Sequence, residues 1–330
     1  MNNQINQYFN KTIITIIKKY KINSILIAIS GGQDSICLLN LIENLQKKKK
    51  YITKITYIYI DHQWKIDSEK QIEYIINYLK YKKKEIYIYQ IKKTTLSESI
   101  SRAYRYHTII NHAIKYNFKA IITAHTRTDK IETFLQKLIR RTSIEGATGL
   151  NLHRRLYKNI NIFRPLISIN RIQINFFCRQ YYLPIWSDIT NYNYYIQRNR
   201  IRNELIPYLK KYINQKAENN ITHFLKTCYY DHEYIKQKII KLYINNKDKN
   251  YIALNYQSIK KRHISIQTRI VQLFIYHNFY LLINHNILNK IINRINQKNR
   301  NIQSIILWKH IAIYINNISI YIKFKNILNK

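Results

Sequence analysis

Glycine, proline and acidic residues are scarce in this chain. Its 330 residues include four glycines and three prolines, and 17 Asp and Glu stand against 56 Lys and Arg. Average glycine usage is about 7 %, so the shortage, with Ile, Lys, Asn and Tyr abundant, indicates an AT-rich genome. A glycine kept under that pressure is expected where the backbone needs it, at a positive φ or a close backbone approach.

Long apolar runs and paired cysteines are also missing. Every apolar run is interrupted by Lys, Asn or His well before 18 residues, and the N-terminus lacks the charged and apolar regions of a signal peptide. The three cysteines, Cys37, Cys178 and Cys228, form no C-x-x-C pair, which excludes zinc, iron-sulfur and redox motifs of that spacing. We therefore expect a soluble, unexported protein with no membrane partner and with buried or incidental thiols.

The charge of the chain is strongly one-sided. The net charge is +39 and the sequence pI is about 10.0. Lysine runs such as 47–50 and 82–84 are expected to be solvated surface, because AT-rich codons favour lysine. The total still exceeds what solubility requires, and a basic protein binds polyanions through counterion release. RNA or DNA is the expected class of partner.

Short apolar runs alternate with helical stretches through the first half of the chain. After a first helix over 5–20, strands are predicted at 25–30, 54–60, 85–91 and 120–124, with helices over 36–45, 68–81 and 97–116. This alternation predicts a parallel sheet, whose ligands gather beyond the carboxyl ends of the strands. The polar residues at those ends are Ser30, Asp61, His62 and His125.

The pattern becomes helical from about residue 163. We expect an α/β domain over 1–205, a helical connector over 206–250 opened by Pro207, and a small basic α+β domain over 251–330. Helices should come first in that last domain, and strands are predicted at 305–315 and 318–324. At 46 % hydrophobic residues the chain is expected to fold throughout.

All four glycines lie in two short segments, and Gly31 and Gly32 belong to the hexapeptide Ser30–Ser35. The hexapeptide lacks the lysine of a Walker A loop. It offers a glycine turn, hydroxyl groups and a carboxylate at a helix N-terminus, a combination that suits phosphate. Asp34 would then hold Mg²⁺ against that phosphate. The alternative is an ordinary turn with Asp34 or Ser35 as the helix N-cap.

A second segment, His125–Glu132, follows a predicted strand. His125 should lie at the end of the strand, and Asp129 and Glu132, three apart, on one face of the next helix. Two neighbouring carboxylates bind Mg²⁺, take a proton from an amine, or bind a cationic substrate. The alternative is that they only complement the helix dipole.

Arginines form two further candidate groups. Glu98, Arg102 and Arg105 are spaced to share a helix face, where an exposed ion pair would have little energetic consequence. Arg198-Asn-Arg-Ile-Arg202 concentrates cations that suit phosphate or RNA contact, or else forms a basic surface patch.

These segments together resemble a known family. Ser30–Ser35 is similar to the PP-loop of N-type ATP pyrophosphatases. Further motifs occur in the order found in tRNA(Ile)-lysidine synthetases, over about residues 23–210. They are Asp61-His62, Glu98-x3-Arg102-x2-Arg105-Tyr106, Ala124-His125-x3-Asp129-x2-Glu132-Thr133, Arg164-Pro165-Leu166 and Asp188-x2-Asn191-x6-Arg198-Asn-Arg-x-Arg202.

The resemblance implies a fold and a reaction. The fold is a parallel-sheet PP-loop domain, adenine nucleotide alpha hydrolase-like, with a helical connector and a small α+β C-terminal domain. ATP and Mg²⁺ would activate C2 of the wobble cytidine in tRNA(Ile) with a CAU anticodon, through its O2 oxygen. The ε-amino group of L-lysine would then displace AMP, giving lysidine, which pairs with A.

The resemblance also implies roles for single residues. ATP would be bound by Ser30, Gly31, Gly32, Gln33, Asp34, Ser35, Asp61 and His62. The catalytic group would be Asp34, Arg105, His125, Asp129, Glu132 and Arg198, with Asp129 and Glu132 binding lysine, Asp34 binding Mg²⁺, and Arg200 and Arg202 contacting tRNA.

Two positions depart from the family pattern. Thr128-Asp129-Lys130 stands where members commonly have Asp-Asp-Gln, and Arg140-Arg141 where they have Arg-Gly. The first change removes one carboxylate beside Asp129. It leaves open whether metal or lysine is bound by Asp129 alone or with Glu132.

Two other functions stay open at this stage. A tRNA thiolation enzyme of the same superfamily would normally need paired cysteines, and an inactive RNA-binding protein would keep the fold without catalysis. The composition indicates a plastid stroma with an organelle-encoded gene, or a bacterial cytoplasm. No obligate protein partner is inferred, and a homodimer is left open.

Overall fold

The computed structural model describes residues 2–48, 52–61, 68–91, 98–156, 160–186, 193–297 and 304–324. The chain forms two compact units, Met1–Lys226 and Thr227–Lys330. The division into 1–205, 206–250 and 251–330 stays a prediction. In the described residues, no helix has both the length and the apolar character needed to cross a bilayer.

The first unit contains a six-stranded sheet of order β3-β2-β1-β4-β6-β5, parallel except for β5. Its strands are β1 (Ser24–Ile29), β2 (Lys54–Asp61), β3 (Ile86–Gln90), β4 (Ala120–Thr123), β5 (His153–Arg155) and β6 (Asn161–Phe163). β1 lies between β2 and β4, and Ala28 is paired with Ile58 on one side and Thr123 on the other. The carboxyl ends of these three strands therefore meet at one edge of the sheet.

Helices cover both faces of this sheet. They are α1 (Asn2–Tyr20), α2 (Gln33–Lys48), α3 (Ser68–Tyr81), α4 (Glu98–Lys115), α5 (Arg127–Ile139), α6 (Ile144–Ala147) and α7 (Arg171–Gln180). Ile25 and Ile27 of β1 pack in the core that includes α1, α2 and α7, whereas Leu26 packs with Ile109 of α4. A strand buried on both sides reads as a continuous apolar run, which is why β1 is recognisable in the sequence.

The sequence did not predict β5 and β6. Both strands have only three residues, too few for an alternating pattern to be seen, and β5 is His-Arg-Arg. The predicted strands and helices of the first 124 residues are confirmed with small shifts at their ends.

A helix with two π-helical segments follows. It runs through α8 (Gln197–Arg200), π-helix Ile201–Leu205, α9 (Ile206–Tyr208) and π-helix Leu209–Ile213, and α10 (Ala217–Asn246) begins after a break. The prediction that Pro207 opens a long helix was wrong. Pro207 lies inside this continuous helix, in the short stretch α9 between the two π-helical segments. π-helical turns are rare and are frequent at functional sites.

The second unit is α+β, as predicted. It contains β7 (Ala253–Asn255), α11 (Gln257–Lys260), α12 (Ile264–Phe279), α13 (His285–Asn296), β8 (Ser304–Trp308), β9 (Ile311–Ile315) and β10 (Ser319–Phe324). Its antiparallel sheet has the order β7-β10-β9-β8 and packs one face on α12 and α13. The single strand predicted over 305–315 is two strands, because the chain turns at Lys309, which has a φ of 51°.

Candidate active site

The hexapeptide Ser30–Ser35 forms the connection between β1 and α2. Gly31 has a φ of +75°, and a Cβ atom there would lie 2.8 Å from Cδ1 of Ile75. Gln71 Nε2 donates to the Ser30 carbonyl at 2.7 Å, and the N–H of Trp186 donates to the Gly31 carbonyl at 3.2 Å. The loop is therefore tightly held, and glycine is required at Gly31 for both conformation and space.

The loop leads directly into the first turn of α2. Ser35 Oγ donates to the Gly32 carbonyl at 2.9 Å, and the Ser30 N–H donates to Ser35 Oγ at 3.2 Å. α2 begins at Gln33, so the amides of its first turn face the loop, where the helix dipole favours an anion. The geometry is that of a phosphate-binding turn.

Asp34 lies in this first turn. Burial, and then the negative charge of Asp129, raise the pKa of Asp34 from the ordinary 3.8 to about 6, although Arg171 and Arg202 oppose the rise. The negative charges of two carboxylates from different elements thus repel each other. A hard divalent cation relieves such repulsion, and Mg²⁺ is commonly held by one or two carboxylates together with substrate phosphates. In the described residues, no group of three or more His, Cys, Asp and Glu side chains is placed to hold a metal ion, and Mg²⁺ at this loop stays a prediction.

His125 and Asp61 lie at the same edge of the sheet. Asp61 ends β2 and is buried, and His125 follows β4. Burial lowers the pKa of His125 to about 3, with Arg164 and Arg102 acting in the same direction against Asp129. His125 is therefore neutral at physiological pH, and its Nδ1 lies 2.9 Å from Thr123 Oγ1. His62 lies outside the described residues.

Helix α5 begins with a capping box. The Thr126 N–H and Oγ1 donate to Asp129 Oδ2 at 2.8 and 3.0 Å, and the Asp129 N–H donates back to Thr126 Oγ1 at 3.4 Å. One oxygen of Asp129 is thus used to begin the helix. The sequence alternative was that Asp129 only complements the helix dipole, and the capping bonds of Oδ2 were not predicted. The other oxygen, Oδ1, accepts hydrogen bonds from Arg198 and Arg202.

Two arginines bind the acidic pair on α5. Arg198 donates from Nη2 to Asp129 Oδ1 and from Nε to Glu132 Oε2, each at 2.7 Å. Arg202 donates to both oxygens of Glu132, at 2.5 and 2.9 Å, and to Asp129 Oδ1 at 3.3 Å. The side chain of Glu132 is 0 % exposed. The four side chains form one buried network of two charges of each sign, in which each acid is compensated.

Burial by itself would raise the pKa of Asp129. Arg198 and the hydrogen bond from the Thr126 backbone outweigh burial, so the pKa lies below the usual range. Asp129 is therefore a carboxylate at neutral pH, whereas Asp34, with a pKa of about 6, keeps its proton in roughly one molecule in ten at pH 7. The pKa of Asp34 is thus raised and that of Asp129 is lowered.

The three predicted arginines of the Arg198–Arg202 segment point in different directions. Arg198 and Arg202, four apart, both reach α5. Arg200 is 63 % exposed and pairs with Glu204 at 3.0 Å. Arg202, expected at the tRNA surface, thus lies in the carboxylate network of this structure. Its contact with tRNA stays a prediction.

The structure adds arginines that sequence reasoning did not assign to the site. Arg102, one helical turn before the predicted Arg105, and buried Arg164 both lower the pKa of His125. Arg171 lowers the pKa of Asp34. A signal for Arg171 exists, because Asn170 and Gln173 have the spacing of a capping box and thereby fix the start of α7. Arg105 is half-buried on α4. Asp188 and Asn191 and the side chain of Glu98 are outside the described parts.

Comparison with known proteins shows the family to which this chain belongs. A family model described as a PP-loop domain matches residues 2–209. A tRNA(Ile)-lysidine synthase, chloroplastic, from Gracilaria tenuistipitata var. liui is 44 % identical over 320 residues, which cover 96 % of this chain and 99 % of the relative. This chain belongs to the tRNA(Ile)-lysidine synthase family. Its PP-loop domain is an ATP-binding domain, as the resemblance implied.

Other similar proteins support the lysidine synthase family and the fold. A tRNA(Ile)-lysidine synthase from the cyanobacterium Nostoc is 38 % identical over 213 residues, covering 64 % of this chain and 62 % of that protein. A solved U34-tRNA thiolase from Methanococcus maripaludis has a TM-score of 0.54 at 13 % identity, covering 68 % of this chain and 77 % of that one. The second likeness concerns the fold alone, and it agrees with the predicted α/β PP-loop class.

Proposed function

We propose that this chain ligates L-lysine to C2 of the wobble cytidine of tRNA(Ile) with a CAU anticodon, with ATP as the energy source. The single observation that carries the proposal is the 44 % identity that extends over 99 % of a tRNA(Ile)-lysidine synthase. The match runs through both compact units, whereas the PP-loop domain alone is shared by many ligases. The product, lysidine, would change codon reading to AUA and tRNA identity from Met to Ile.

The reaction has two steps. The O2 oxygen of the cytidine attacks the α-phosphorus of ATP, the bond to the β-phosphate breaks, and pyrophosphate leaves. The deprotonated ε-amine of lysine then attacks C2, and the C2–O2 bond breaks so that AMP leaves with the oxygen. Adenylation turns a poor leaving group into a good one, and the remaining task of the protein is to orient three substrates and stabilise negative charge.

The phosphates of ATP would be bound at the β1–α2 connection. The loop residues proposed for this are Ser30, Gly31, Gly32, Gln33, Asp34 and Ser35, with Asp61 and His62 completing the ATP site. The amides of the first turn of α2 supply donors without any side-chain reorganisation. Asp34 would hold Mg²⁺, which supplies charge neutralisation for the leaving pyrophosphate.

The acidic pair on α5 would bind the attacking end of lysine. Asp129 and Glu132 form ion pairs with Arg198 and Arg202. An amine that enters would therefore bind to carboxylates that are already paired with arginines. Neutral His125 accepts or donates a hydrogen bond without adding charge, and Arg105 and Arg198 would stabilise the anionic intermediate. Exposed Arg200, together with Arg202, would contact tRNA.

The sources of the similar proteins bear on where in the cell this protein acts. The curated relatives include chloroplastic proteins and a cyanobacterial one. We propose a plastid stroma, with a bacterial cytoplasm as the alternative. A homodimer is kept as one possible assembly, and analytical ultracentrifugation would decide it.

Nucleoside mass spectrometry tests the function directly. Isoleucine tRNA with a CAU anticodon is incubated with ATP and isotopically labelled lysine, digested and analysed. Lysidine that carries the label, formed with one AMP per nucleoside, is expected. A thiolated nucleoside formed with a sulfur donor, or AMP released equally without lysine, would contradict the proposal.

A further inference from the structure

A cavity of about 820 Å³ lies at the opposite edge of the parallel sheet from the Ser30–Ser35 loop. The polar and aromatic residues that line it include Tyr20, Asn117, Lys119, His153, Arg155 and Asn161. None of the residues assigned to the reaction lines this cavity. Its volume is within the range of about 300–1,000 Å³ that small-molecule sites occupy.

The register of the strands gives the position of the cavity. β4 and β6 are parallel, and their first residues, Ala120 and Asn161, are partners, whereas Ser30 follows the last residue of the neighbouring strand β1. The cavity therefore lies at the amino ends of the strands, where α1 and α4 have their carboxyl ends. The dipole at the carboxyl end of a helix attracts cations and repels anions. An anion bound in this cavity must be held by side chains.

One wall of the cavity belongs to a fixed aromatic cluster. The ring of His153 packs against Tyr20 and Phe163, with centroids 4.7 and 5.0 Å apart. Nε2 of His153 donates to Oδ1 of Asn161 at 2.8 Å, and Nδ1 lies 3.0 Å from the Tyr20 hydroxyl. Because both ring nitrogens are bonded, the rings are held in place before a ligand arrives. A flat ligand can stack on this wall with little loss of side-chain freedom.

The charged residues of the cavity are all basic. Lys119 and Arg155 are exposed and line it, and exposed Asn117 lies two residues before Lys119. The chain segments that form the cavity have no Asp or Glu over 1–33, 99–128 and 146–187, and they contain 4, 5 and 6 Lys and Arg. Within these segments no acid neutralises the cations, so the cavity attracts an anion.

An aromatic wall beside cations and amides matches the chemistry of a nucleoside phosphate. Any base can stack on aromatic side chains, because every base has a π-face. Amide groups hydrogen-bond to the edges of bases, and Lys and Arg bind phosphate. An inorganic anion would leave the aromatic wall unused. The apolar tail of a fatty acid would bury the polar groups of Asn117 and Asn161 without partners.

We propose that this cavity is a second nucleotide-binding site, separate from the ATP loop. The base of a nucleoside phosphate stacks on Tyr20 and His153, Asn117 hydrogen-bonds to the edge of the base, and Lys119 and Arg155 bind the phosphate. A free mononucleotide and one unit of an RNA strand share this chemistry, and the experiment separates the two sources. The site does not depend on which reaction the PP-loop domain catalyses.

Photocrosslinking of the full-length protein locates the ligand. The probes are 8-azido-AMP for a free nucleotide and a short uridine oligonucleotide that carries one 4-thiouridine for RNA. Each probe is irradiated with the protein at physiological salt, and labelled peptides are identified by mass spectrometry. Label is expected on peptides that contain Tyr20, Lys119 or His153. Label that unlabelled AMP displaces assigns the site to a free nucleotide, and oligonucleotide label that AMP does not displace assigns it to RNA. Absence of label on these peptides with both probes overturns the proposal.

A charge-matched pair of variants shows whether the label depends on the cavity. Lys119→Gln/Arg155→Gln should raise the probe concentration for half-maximal labelling at least about tenfold, since a hydrogen bond to a charged group contributes roughly tenfold to a hundredfold. Lys80→Gln/Arg179→Gln removes the same two residue types from exposed positions outside the cavity and should change it less than about threefold. Equal half-maximal concentrations in the two double variants overturn the proposal.

The aromatic contact is tested by two substitutions at Tyr20. Tyr20→Phe keeps the ring and should stay within about threefold of wild type, whereas Tyr20→Leu should weaken labelling roughly fivefold or more, because a stacked base is lost. Equal labelling of the Phe and Leu variants overturns the stacking contact. If Tyr20→Leu does not fold, the exposed Lys119/Arg155 variant still decides the site. All of these measurements report binding, so a failure of the proposed function would leave their outcome unchanged.

Discussion

The pKa values of single acids at this site depend on the neighbouring charges and hydrogen bonds more than on the residue type. Asp34 and Asp129 are both aspartates in the first turn of a helix, yet the pKa of one is raised and that of the other lowered. The difference comes from the arginines, since Arg198 bonds Asp129 directly at 2.7 Å. The sequence indicated which acids matter, and it could not indicate which of them ionises readily.

Asp34→Asn should stabilise the fold and abolish turnover. A carboxyl whose pKa is raised in the folded state binds its proton more tightly there, so folding loses stability as the pH rises from about 4 through 6. Above pH 6 the penalty reaches roughly 3 kcal/mol, and Asn removes it. We expect a higher Tm than wild type at pH 7.5, a small difference at pH 4, and tRNA retention largely intact. A lower Tm at pH 7.5, or normal turnover, would contradict this account.

The pH profile of the wild type follows from the same group. If Asp34 acts as a carboxylate toward Mg²⁺, the rate of tRNA adenylation should fall as the pH drops through about 6. His125, with a pKa of about 3, contributes no inflection in that window. Pyrophosphate release measured between pH 5 and 8 checks this. A rate that is flat down to pH 5 would show that ionisation of Asp34 is not required.

The two classes of glutamate ion pair should differ widely in stability. Glu132→Gln leaves Arg198 and Arg202 in a buried network with one acid fewer, and breaking a buried pair costs about 3–5 kcal/mol. Glu204→Gln breaks an exposed pair with Arg200 and should cost less than about 1 kcal/mol. Urea unfolding of both variants at pH 7.5 measures the difference. Equal midpoints would mean that the α5 network is not held together by charge.

At the scale of the element, turns and helix starts position the site. Thr126 begins α5 and in doing so orients Asp129. Asn170 and Gln173 begin α7, and the charge of Arg171 in its first turn lowers the pKa of Asp34. Arg198 lies just before the first π-helical segment and Arg202 lies within it, and both bond the acidic pair of α5. The capping boxes could be read from the sequence. The π-helical turns could not, because they depend on packing against α5.

The two glycines of the loop should respond differently to alanine. At Gly31 the new Cβ meets Ile75 Cδ1 at 2.8 Å and Gln71 Nε2 at 3.0 Å in a left-handed backbone, so Gly31→Ala should lose about 1–2 kcal/mol of stability and most ATP binding. At Gly32 the nearest atom is Ser30 Oγ at 3.7 Å, so Gly32→Ala should stay within about 1 kcal/mol of wild type. Thermal unfolding compares the pair directly. A Gly31→Ala protein as stable as Gly32→Ala would refute the positive-φ argument.

At the scale of the whole molecule, charge is distributed unevenly along the chain. Residues 249–330 contain 13 Lys and Arg and no Asp or Glu, so the second unit carries cations almost without compensation. Such a surface attracts RNA through its phosphates whatever the sequence of the RNA. We propose that the basic surface brings tRNA to the enzyme, and that selection of one tRNA depends on further contacts.

Binding of tRNA should depend steeply on salt. A protein that makes six or more phosphate contacts loses about a thousandfold in affinity between 50 and 200 mM salt. Filter binding of full-length protein to isoleucine tRNA over that range is the measurement, with the KM for ATP as the internal comparison. A change below tenfold in tRNA affinity would exclude a binding mode dominated by the basic surface.

The sequence by itself determined the sheet strands from β1 to β4, the phosphate-binding turn and the membership of the acidic pair. Each of these features is predicted by a local sequence pattern. The strands follow from continuous apolar runs, the turn from a glycine pair, and the acidic pair from two acids three residues apart. Only the tertiary structure decided that Arg202 turns inward while Arg200 faces solvent, that the charge of Arg171 lowers the pKa of Asp34, and that Glu218 shares a cavity with Thr128. Arg171 lies 137 residues after Asp34, and Glu218 lies 90 residues after Thr128. Their proximity depends on how α2, α5, α7 and α10 pack, which cannot be predicted from a local sequence pattern.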